Sequence, residues 1–239
     1  MATKALTDEI YIKKEKLEID KEDKKIKLDD VFKISFKDLS FKYDENYIFE
    51  NLNFNFTKGK KYLIQGESGS GKSTLGKIMI KLLKSFHGEI LFDQIPIDEL
   101  STKNVNSLIN YISQDPYVFN TSLKENIDIK GKLDDGEIID IIKKVRLDKL
   151  LHEIGSIDAL IDKVNRNISG GEIARIAIAR ALADDKPVII ADEVLANLDK
   201  INSLNIEELL LSIDDKIIIN ICHHHNIELN DRYDGILEL

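Results

Sequence analysis

One short stretch, GESGSGKST at residues 66–74, constrains the fold of this chain more than any other part of its sequence. It fits the pattern G-x-x-x-x-G-K-S/T and lies between an apolar run that predicts a β-strand and a segment, Leu75 to Leu83, with helical spacing of apolar residues. Glycines let successive backbone N–H groups face a phosphate, and the start of the helix adds a favourable dipole. The sequence therefore predicts a phosphate-binding loop made of Gly66, Glu67, Ser68, Gly69, Ser70, Gly71, Lys72, Ser73 and Thr74.

The last part of this loop has two polar side chains to which the pattern assigns chemistry. We expect the Lys72 ammonium to point towards the β- and γ-phosphates of a nucleotide, and the Ser73 hydroxyl to bind Mg²⁺. A glycine-rich turn with a chance lysine is the alternative reading, and the flanking strand and helix disfavour it.

An acidic pair ends a second apolar strand, VIIADE at residues 188–193. The apolar residues predict a buried strand, and its carboxyl end is where α/β sheets bind ligands. We expect Asp192 to orient Mg²⁺ and its waters, and Glu193 to polarise the attacking water as a general base. An ordinary strand end capped by acids would be an equal alternative if the phosphate loop were absent.

The order of patterns along the chain indicates an α/β protein. FKISFKDLSFKY and ENLNFNF alternate apolar and polar residues as half-buried strands do, and DKIIINICH indicates another buried parallel strand. Residues 134–182 have mostly helical spacing. We therefore predict an α/β core with a separate helical lobe inserted between its strands.

Composition and charge exclude several classes of protein. The formal net charge of −9 argues against a nucleic-acid binder with a broad basic face. The single cysteine, Cys222, excludes an intramolecular disulfide and suits a reducing cytosol. No apolar run approaches the ~20 residues that span a bilayer, and the start of the sequence lacks the apolar core of a secretory signal. We expect a chain that does not cross a membrane by itself.

The ordered set of motifs resembles the nucleotide-binding domain of an ATP-binding cassette (ABC) transporter over about residues 32–239. GESGSGKST is similar to the Walker A loop of that family, and VIIADE to its Walker B strand. SGGE at residues 169–172 resembles the family signature. Gln114 in YISQDPY lies where the family has its Q-loop glutamine, ANLD resembles the D-loop and ends at Asp199, and Tyr43 falls at the A-loop aromatic.

The resemblance implies a specific architecture and set of ligands. It implies a P-loop NTPase core with a mixed sheet and flanking helices, an antiparallel β subdomain, and an inserted α-helical subdomain at about residues 115–183. The implied ligands are ATP and Mg²⁺, with Ser73, Gln114 and Asp192 as metal ligands and Glu193, Gln114 and His223 as catalytic residues.

The signature implies a partner. In this family two copies pack head to tail, so Ser169, Gly170, Gly171 and Glu172 of one copy would close over the γ-phosphate held by the other. A simple helix N-cap is the plainer alternative for this Ser-Gly-Gly. Ile168 and Glu172 depart from the usual Leu-Ser-Gly-Gly-Gln, and we expect Glu172 to face away from phosphate. The pair Val194 and Leu195 replaces the usual Pro-Thr.

Two assignments stay open between neighbouring residues. The family histidine that contacts the γ-phosphate could be His223, His224 or His225, and we favour His223; a metal-binding histidine cluster is the rival reading. Tyr43 is the candidate for stacking on adenine, against Tyr47 or a purely structural role for Tyr43 in the core.

The type of transporter is indicated by VFNTSLKENI at residues 118–127, which resembles the stretch after the Q-loop in exporters. Residues 1–31 resemble the charged linker that joins the last membrane helix of an exporter to its ATPase, although IDKVNRN lacks a pattern that many exporters show before the signature. We therefore expect an exporter ATPase at the cytoplasmic face of the cell membrane, whose transmembrane domain contacts about residues 114–127, without a nucleic-acid partner. The alternatives are a separately encoded importer-type subunit, a soluble ABC ATPase of DNA repair or translation, and a catalytically inactive binding module.

Overall fold

The computed structural model describes residues 26–161, 168–223 and 226–239. The strands in chain order are β1 (Lys33–Tyr43), β2 (Asn46–Thr57), β3 (Lys61–Gln65), β4 (His87–Phe92), β5 (Ile95–Pro96), β6 (Ile109–Ile112), β7 (Val188–Asp192), β8 (Ile217–Ile221) and β9 (Gly235–Glu238). The α-helices are α1 (Lys72–Met79), α2 (Thr102–Leu108), α3 (Leu123–Ile127), α4 (Asp135–Lys144), α5 (Asp148–Ile154), α6 (Gly170–Ala183) and α7 (Lys200–Leu211). Short 3-10 helices cover Ile97–Glu99 and Ile227–Arg232.

A five-stranded parallel sheet, in the order β6-β7-β8-β3-β9, forms the centre of the protein. Every residue of β7 and β8 is buried, as expected for strands that are covered on both faces. Because the strands are parallel, the segments that follow β3, β6, β7 and β8 all leave from the same edge of the sheet. This edge therefore brings together the phosphate loop, Gln114, Glu193 and His223.

An antiparallel sheet, in the order β2-β1-β4-β5, covers one face of the parallel sheet. Its inward side is aromatic, and Phe36 packs edge to face on Phe56 with ring centroids 5.2 Å apart. These rings belong to one buried cluster with Ile64, Ile190 and Ile219 of the central strands. The two sheets, one parallel and one antiparallel, confirm the predicted fold class.

The helices between residues 123 and 183 cover the opposite face of the central sheet. Leu123, Ile138 and Leu150 from three of these helices share a buried cluster with Ile178 of α6 and Ile189 of β7. The helical subdomain proposed at about residues 115–183 stays a prediction. Val194 and Leu195, the unusual pair after the acidic residues, are buried in the same cluster, so apolar packing accommodates them.

The first helix is shorter than its apolar spacing predicts. α1 ends at Met79, Lys81 has a left-handed backbone with φ of 58°, and Leu82 is 66% exposed. The buried Lys81 ammonium donates hydrogen bonds to the carbonyl oxygens of Ile97 and Leu100, at 2.9 and 2.7 Å. These long-range contacts turn the chain away from the helix axis, so the prediction of a helix through Leu83 is wrong.

The charged N-terminal segment mostly lies outside the described residues, and so does IDKVNRN before the signature, apart from its first residue, Ile161. Where the description begins, the backbone N–H of Ile26 donates to the Glu99 carbonyl, and Asn104 exchanges two hydrogen bonds with the backbone of Leu28. Across the described ranges, no helix has the length and apolar character needed to cross a membrane.

Candidate nucleotide-binding site

The phosphate loop requires glycine where it meets α1. Gly71 has φ of 99°, in the left-handed region, and a Cβ atom built on it would lie 2.3 Å from Cγ2 of Ile48. Any side chain would therefore clash with β2 as well as strain the backbone. Gly69 also has a left-handed φ, of 85°, with open space around it. The loop can follow this path only with the glycines that the sequence places there.

The Lys72 side chain is buried inside the phosphate loop. Its ammonium donates to the carbonyl oxygens of Gly66 and Glu67, at 2.9 and 2.8 Å. The backbone N–H of Ser70 also donates to the Glu67 carbonyl, at 3.2 Å, which closes the loop. The positive charge is thereby held at the centre of the loop, the position in which it can neutralise a bound phosphate.

Asp192, the last residue of β7, joins three elements through its carboxylate. Oδ1 accepts a hydrogen bond from the Ser73 hydroxyl at 2.9 Å, and Oδ2 accepts one from the Tyr111 hydroxyl of β6. Burial, and then the bond to Asp192, raise the pKa of Tyr111, so its hydroxyl remains a donor at neutral pH. Asp192 is therefore held in place by α1 on one side and β6 on the other.

Ser73 and Asp192 are suitable ligands for Mg²⁺. The metal prefers oxygen ligands at 2.0–2.1 Å in an octahedral arrangement, which places adjacent ligand oxygens roughly 2.9 Å apart. The Ser73 hydroxyl donates a hydrogen bond to Asp192 at 2.9 Å, so the two oxygens lie close enough together to hold one ion. The described residues contain no group of three or more His, Cys, Asp and Glu side chains arranged to hold a metal, so a bound ion here would keep ligands from water or phosphate.

Glu193 follows Asp192 in a strained backbone conformation. Its φ is 51°, which is uncommon for a residue with a side chain, and its N–H donates to the Ile221 carbonyl of β8 at 2.8 Å. Glu193 lines a cleft of about 170 Å³ together with Lys72 and Ser73. The turn thus places Glu193 beside the phosphate loop, where a general base for water would have to lie.

Tyr43 lies at the rim of this same cleft. It is the last residue of β1, its side chain is 51% exposed, and Phe41 supports its ring edge to face at 4.8 Å. Tyr47 instead lies against Lys42, whose ammonium is 5.7 Å from the centre of the Tyr47 ring. The geometry favours Tyr43 over Tyr47 for contact with a base next to the phosphate loop.

Gln114 and His223 lie on the loops that follow β6 and β8. Gln114 is exposed two residues after the end of β6, which pairs directly with β7. His223 is exposed and lines two clefts, one shared with Gly66 and Glu67 and one shared with Glu193. His223 thus lies between the phosphate loop and the acidic pair. His224 and His225, the rival candidates, lie outside the described residues, so two of the three members of the alternative histidine cluster do as well.

The signature segment begins α6 with a complete capping box. Ser169 is the N-cap, and its hydroxyl oxygen accepts a hydrogen bond from the Glu172 N–H. One Glu172 carboxylate oxygen accepts from both the N–H and the hydroxyl of Ser169, each at 2.8 Å. The Glu172 carboxylate therefore lies over the N-terminus of α6, and the expectation that it faces away from a phosphate stays a prediction. The bare amide donors and the helix dipole attract its charge there.

The two signature glycines are close to the D-loop of the same chain. A Cβ on Gly170 would lie 3.1 Å from Leu198, and one on Gly171 would lie 3.2 Å from Oδ1 of Asn202. Asp199 caps α7 by accepting hydrogen bonds from the N–H groups of Ile201 and Asn202. The hydrogen bond from the Asn202 side-chain amide has the largest effect on the Asp199 carboxylate. Together with the two backbone bonds it lowers the pKa of Asp199. The signature and the D-loop thus form one packed surface, with Ser169 and Asp199 both exposed.

A sequence model of a protein family, with the description "ABC transporter", matches residues 49–196 of this sequence, which is more than half of the chain. The chain belongs to the ABC transporter family. It is a nucleotide-binding ATPase domain of that family, with a P-loop NTPase fold.

Several curated relatives support this membership. The chain is 34% identical over 200 residues to the microcin-J25 export ATP-binding/permease protein of Escherichia coli, an alignment that covers 81% of this chain and 34% of the relative. It is 33% identical over 199 residues to the transport/processing ATP-binding protein ComA of Streptococcus pneumoniae, covering 81% of this chain and 28% of the relative. The chain thus spans about a third of the length of the relatives it matches.

A solved structure has the same fold. The ATP-bound structure of a bacterial Atm1-family ABC exporter superposes with a TM-score of 0.77 at 24% identity, over 89% of this chain and 38% of that one. At this identity the match supports the fold alone.

In this ABC domain, α6 also holds the segment after Gln114. The Arg180 guanidinium donates to the backbone carbonyls of Asn126 and Tyr117, at 2.9 and 3.1 Å, and lies 5.2 Å from the centre of the Phe119 ring. The buried Asn126 side chain pairs with both backbone groups of Phe119. The segment thus has a fixed shape, while Tyr117 and Phe119 remain 64% and 40% exposed.

Sequence reasoning about this ABC domain missed Tyr111 and Ile48. Tyr111 lies between Asn110 and Ile112 in the short strand β6, so the pattern indicates only a strand residue, and its contact with Asp192 spans 81 positions. Ile48 has an ordinary strand pattern, although it restricts Gly71 sterically. For neither residue does the local sequence pattern indicate the contact that it makes.

Proposed function

We propose that this domain binds ATP with Mg²⁺ and hydrolyses it to power an exporter, through ATP-driven head-to-tail pairing of two copies. One observation carries the proposal. A single edge of the parallel sheet brings Lys72, Ser73, Asp192 and Glu193 together within one continuous site.

The residues divide the chemistry of hydrolysis among them. Lys72 neutralises phosphate charge, and Ser73 and Asp192 hold Mg²⁺, which when bound would offset the charge that develops during phosphoryl transfer. Glu193 accepts a proton from the attacking water, because its carboxylate lines the cleft beside the phosphate loop. Gln114 and His223 complete the site from the neighbouring loops, Gln114 as a metal ligand and His223 as a contact to the γ-phosphate.

The pairing proposal follows from the position of the signature. Ser169 and Gly170 are exposed, and Gly171 lies beside them at the same end of α6. Anions bind well at helix N-termini of this kind. The Glu172 carboxylate occupies the Ser169 N–H and hydroxyl in this structure. It must release them before a phosphate held by the second copy can bind to the same groups.

The exporter assignment rests on relatives and on one surface. The microcin-J25 relative is named an export protein, and it combines ATP-binding and permease parts. In our chain the segment held by Arg180 exposes two aromatic side chains, Tyr117 and Phe119. We propose that about residues 114–127 contact the transmembrane domain of the transporter, and that the ATPase therefore works at the cytoplasmic face of the membrane.

Removing the Lys72 charge should weaken nucleotide binding. We expect Lys72→Ala to raise the Kd for ATP by roughly tenfold or more, since a charge-assisted contact to phosphate is lost. The measurement is a titration with fluorescent ATP. Lys77→Ala is a matched control, because Lys77 lies exposed on the same helix and its removal changes the net charge equally. Equal weakening in both variants would show a general charge effect and contradict the assignment.

Removing the Tyr43 ring should weaken adenine binding. We expect Tyr43→Ala to raise the Kd for ATP by about fivefold to a hundredfold, the range for loss of one stacking contact. The effect should be equal for ATP and GTP, because stacking uses the face of any base. Tyr47→Ala serves as the control and should bind ATP normally. A larger loss in Tyr47→Ala than in Tyr43→Ala would move the role to Tyr47.

A further inference from the structure

A carboxylate that has no role in the chemistry described above lies fully buried in the protein. Glu207, on α7, is 0% exposed. Its Oε1 accepts a hydrogen bond from the Tyr233 hydroxyl at 2.7 Å. Its Oε2 accepts two from Asn226, one from the backbone N–H at 3.1 Å and one from the side-chain amide at 2.5 Å. Both oxygens are thus engaged, as a buried charge requires.

These bonds connect two elements of the nucleotide site. Asn226 lies three positions after His223, on the segment that follows β8. Glu207 and Ser203 lie one turn apart on α7, and the Asn226 amide also reaches the Ser203 hydroxyl at 3.4 Å. α7 begins directly after Asp199 of the D-loop. A cleft of about 370 Å³ is lined by Glu193, Lys200, Ser203, His223 and Asn226, so the connection adjoins the general base.

The burial of the Glu207 carboxylate does not by itself indicate that it stabilises the fold. Replacing a buried ionic group by apolar residues of similar size is often neutral or stabilising, so a buried carboxylate is poor evidence for a stabilising role. A fully hydrogen-bonded group does hold its partners in one geometry. Two of the three hydrogen bonds to Glu207 come from Asn226, three positions after His223 in the sequence, and they tie Asn226 to α7. The third comes from Tyr233, which is the C-cap of the 3-10 helix and part of the core.

We propose that Glu207 is a positioning residue for ATP hydrolysis: through Asn226 it holds the segment that carries His223 against α7, at a fixed place relative to Glu193 and the D-loop. The proposal rests on the function proposed above for His223. It predicts that displacement of α7 at the D-loop also displaces His223, because the two share this connection.

The first experiment separates positioning from stability. Asn226→Ala removes the side-chain bond to Glu207, and Tyr233→Phe removes the other partner of the same carboxylate. Tyr233→Phe should lower the temperature of unfolding, because Oε1 of Glu207 and the Asn220 amide lose a buried partner. We expect kcat for ATP hydrolysis to stay within about twofold in Tyr233→Phe and to fall roughly tenfold to a hundredfold in Asn226→Ala, with little change in KM. Loss of kcat in proportion to loss of stability across both variants overturns the proposal.

A double-mutant cycle tests whether Asn226 acts through His223. If it does, Asn226→Ala should not lower kcat further in a His223→Ala background. An equal fold-loss in both backgrounds overturns the proposal, and so does a His223→Ala variant that is as active as the unaltered chain. Failure of the proposed function itself would differ from these results, since hydrolysis would then be independent of Lys72 and Glu193.

A conservative variant provides a rescue. In Glu207→Gln the side-chain carbonyl oxygen can still accept the hydrogen bonds from Asn226 if the NH₂ group points towards Tyr233. The Tyr233 hydroxyl, which now donates to Glu207, then needs a different acceptor. The Oδ1 atom of Asn220 is buried without a hydrogen-bond partner, and a flip of that amide would supply one. We therefore expect Glu207→Gln to keep most of kcat and Glu207→Leu to lose it. Equal kcat in the two variants overturns the proposal.

Discussion

Replacing Glu193 by glutamine should leave ATP binding intact and lower turnover by about 10²–10⁴-fold, the usual contribution of a general base. Glutamine has the shape of glutamate, so the strained turn at φ of 51° and the N–H bond to Ile221 should persist. Only the basicity of the side chain is lost. Steady-state phosphate release measures the turnover, and ATP titration measures the binding.

The matched control for this variant is Glu50→Gln. Glu50 is exposed on β2 and does not line the cleft that Glu193 shares with Lys72 and Ser73, so the same chemical change there should leave turnover unaltered. Unchanged hydrolysis in Glu193→Gln would contradict the role of Glu193 as base. It would then direct attention to His223 or Gln114, the remaining candidates around the cleft.

The second large effect concerns association. In the Glu193→Gln background, where ATP persists, ATP with Mg²⁺ should convert a monomer into a dimer, and ADP should not, because the γ-phosphate supplies the contact with the signature. Ser169→Arg should abolish this shift completely while the monomer still binds ATP, since a bulky cation replaces the cap of α6. Light scattering measures the association, and fluorescent nucleotide measures the binding.

Ser122→Arg provides a close control for the Ser169 variant. Ser122 caps α3 with the same type of capping box. In that box the Glu125 side chain bonds to the backbone of Ser122, as Glu172 does to that of Ser169 on α6. Both variants therefore lose equivalent local stabilisation, and only the one at Ser169 should prevent dimer formation. If Ser169→Arg loses ATP binding by the monomer but still dimerises, the signature contacts the nucleotide of its own chain and the head-to-tail arrangement is wrong.

The parts of the site that the sequence predicts are those encoded by contiguous residues. The phosphate loop and the Asp192–Glu193 pair each follow a strand, so the parallel sheet is sufficient to bring them together. The family resemblance supplied the roles of Ser169, Asp199 and Tyr43, which no local physical pattern specifies.

The features that the sequence does not predict depend on distant contacts or on competition between them. The early end of α1 depends on carbonyls 16 and 19 positions after Lys81. The bond between Tyr111 and Asp192 joins residues on different strands, and the Glu207–Asn226 contact joins a helix to a loop. The Glu172 carboxylate caps the start of α6 in this structure, and its position relative to the phosphate of a second copy depends on a contact that the sequence does not specify.

The way in which Arg180 is attached has a consequence for the divergence of such domains. Its two shortest hydrogen bonds reach main-chain oxygens, those of Asn126 and Tyr117, which every amino acid provides. Substitutions at the exposed side chains of this segment therefore leave the main-chain attachment to α6 in place. A fourteen-residue helix spans about 20 Å and is stiff over that length. On the proposal that this segment contacts a transmembrane domain, exposed side chains alone would set the shape of that contact, while the attachment to α6 stays the same.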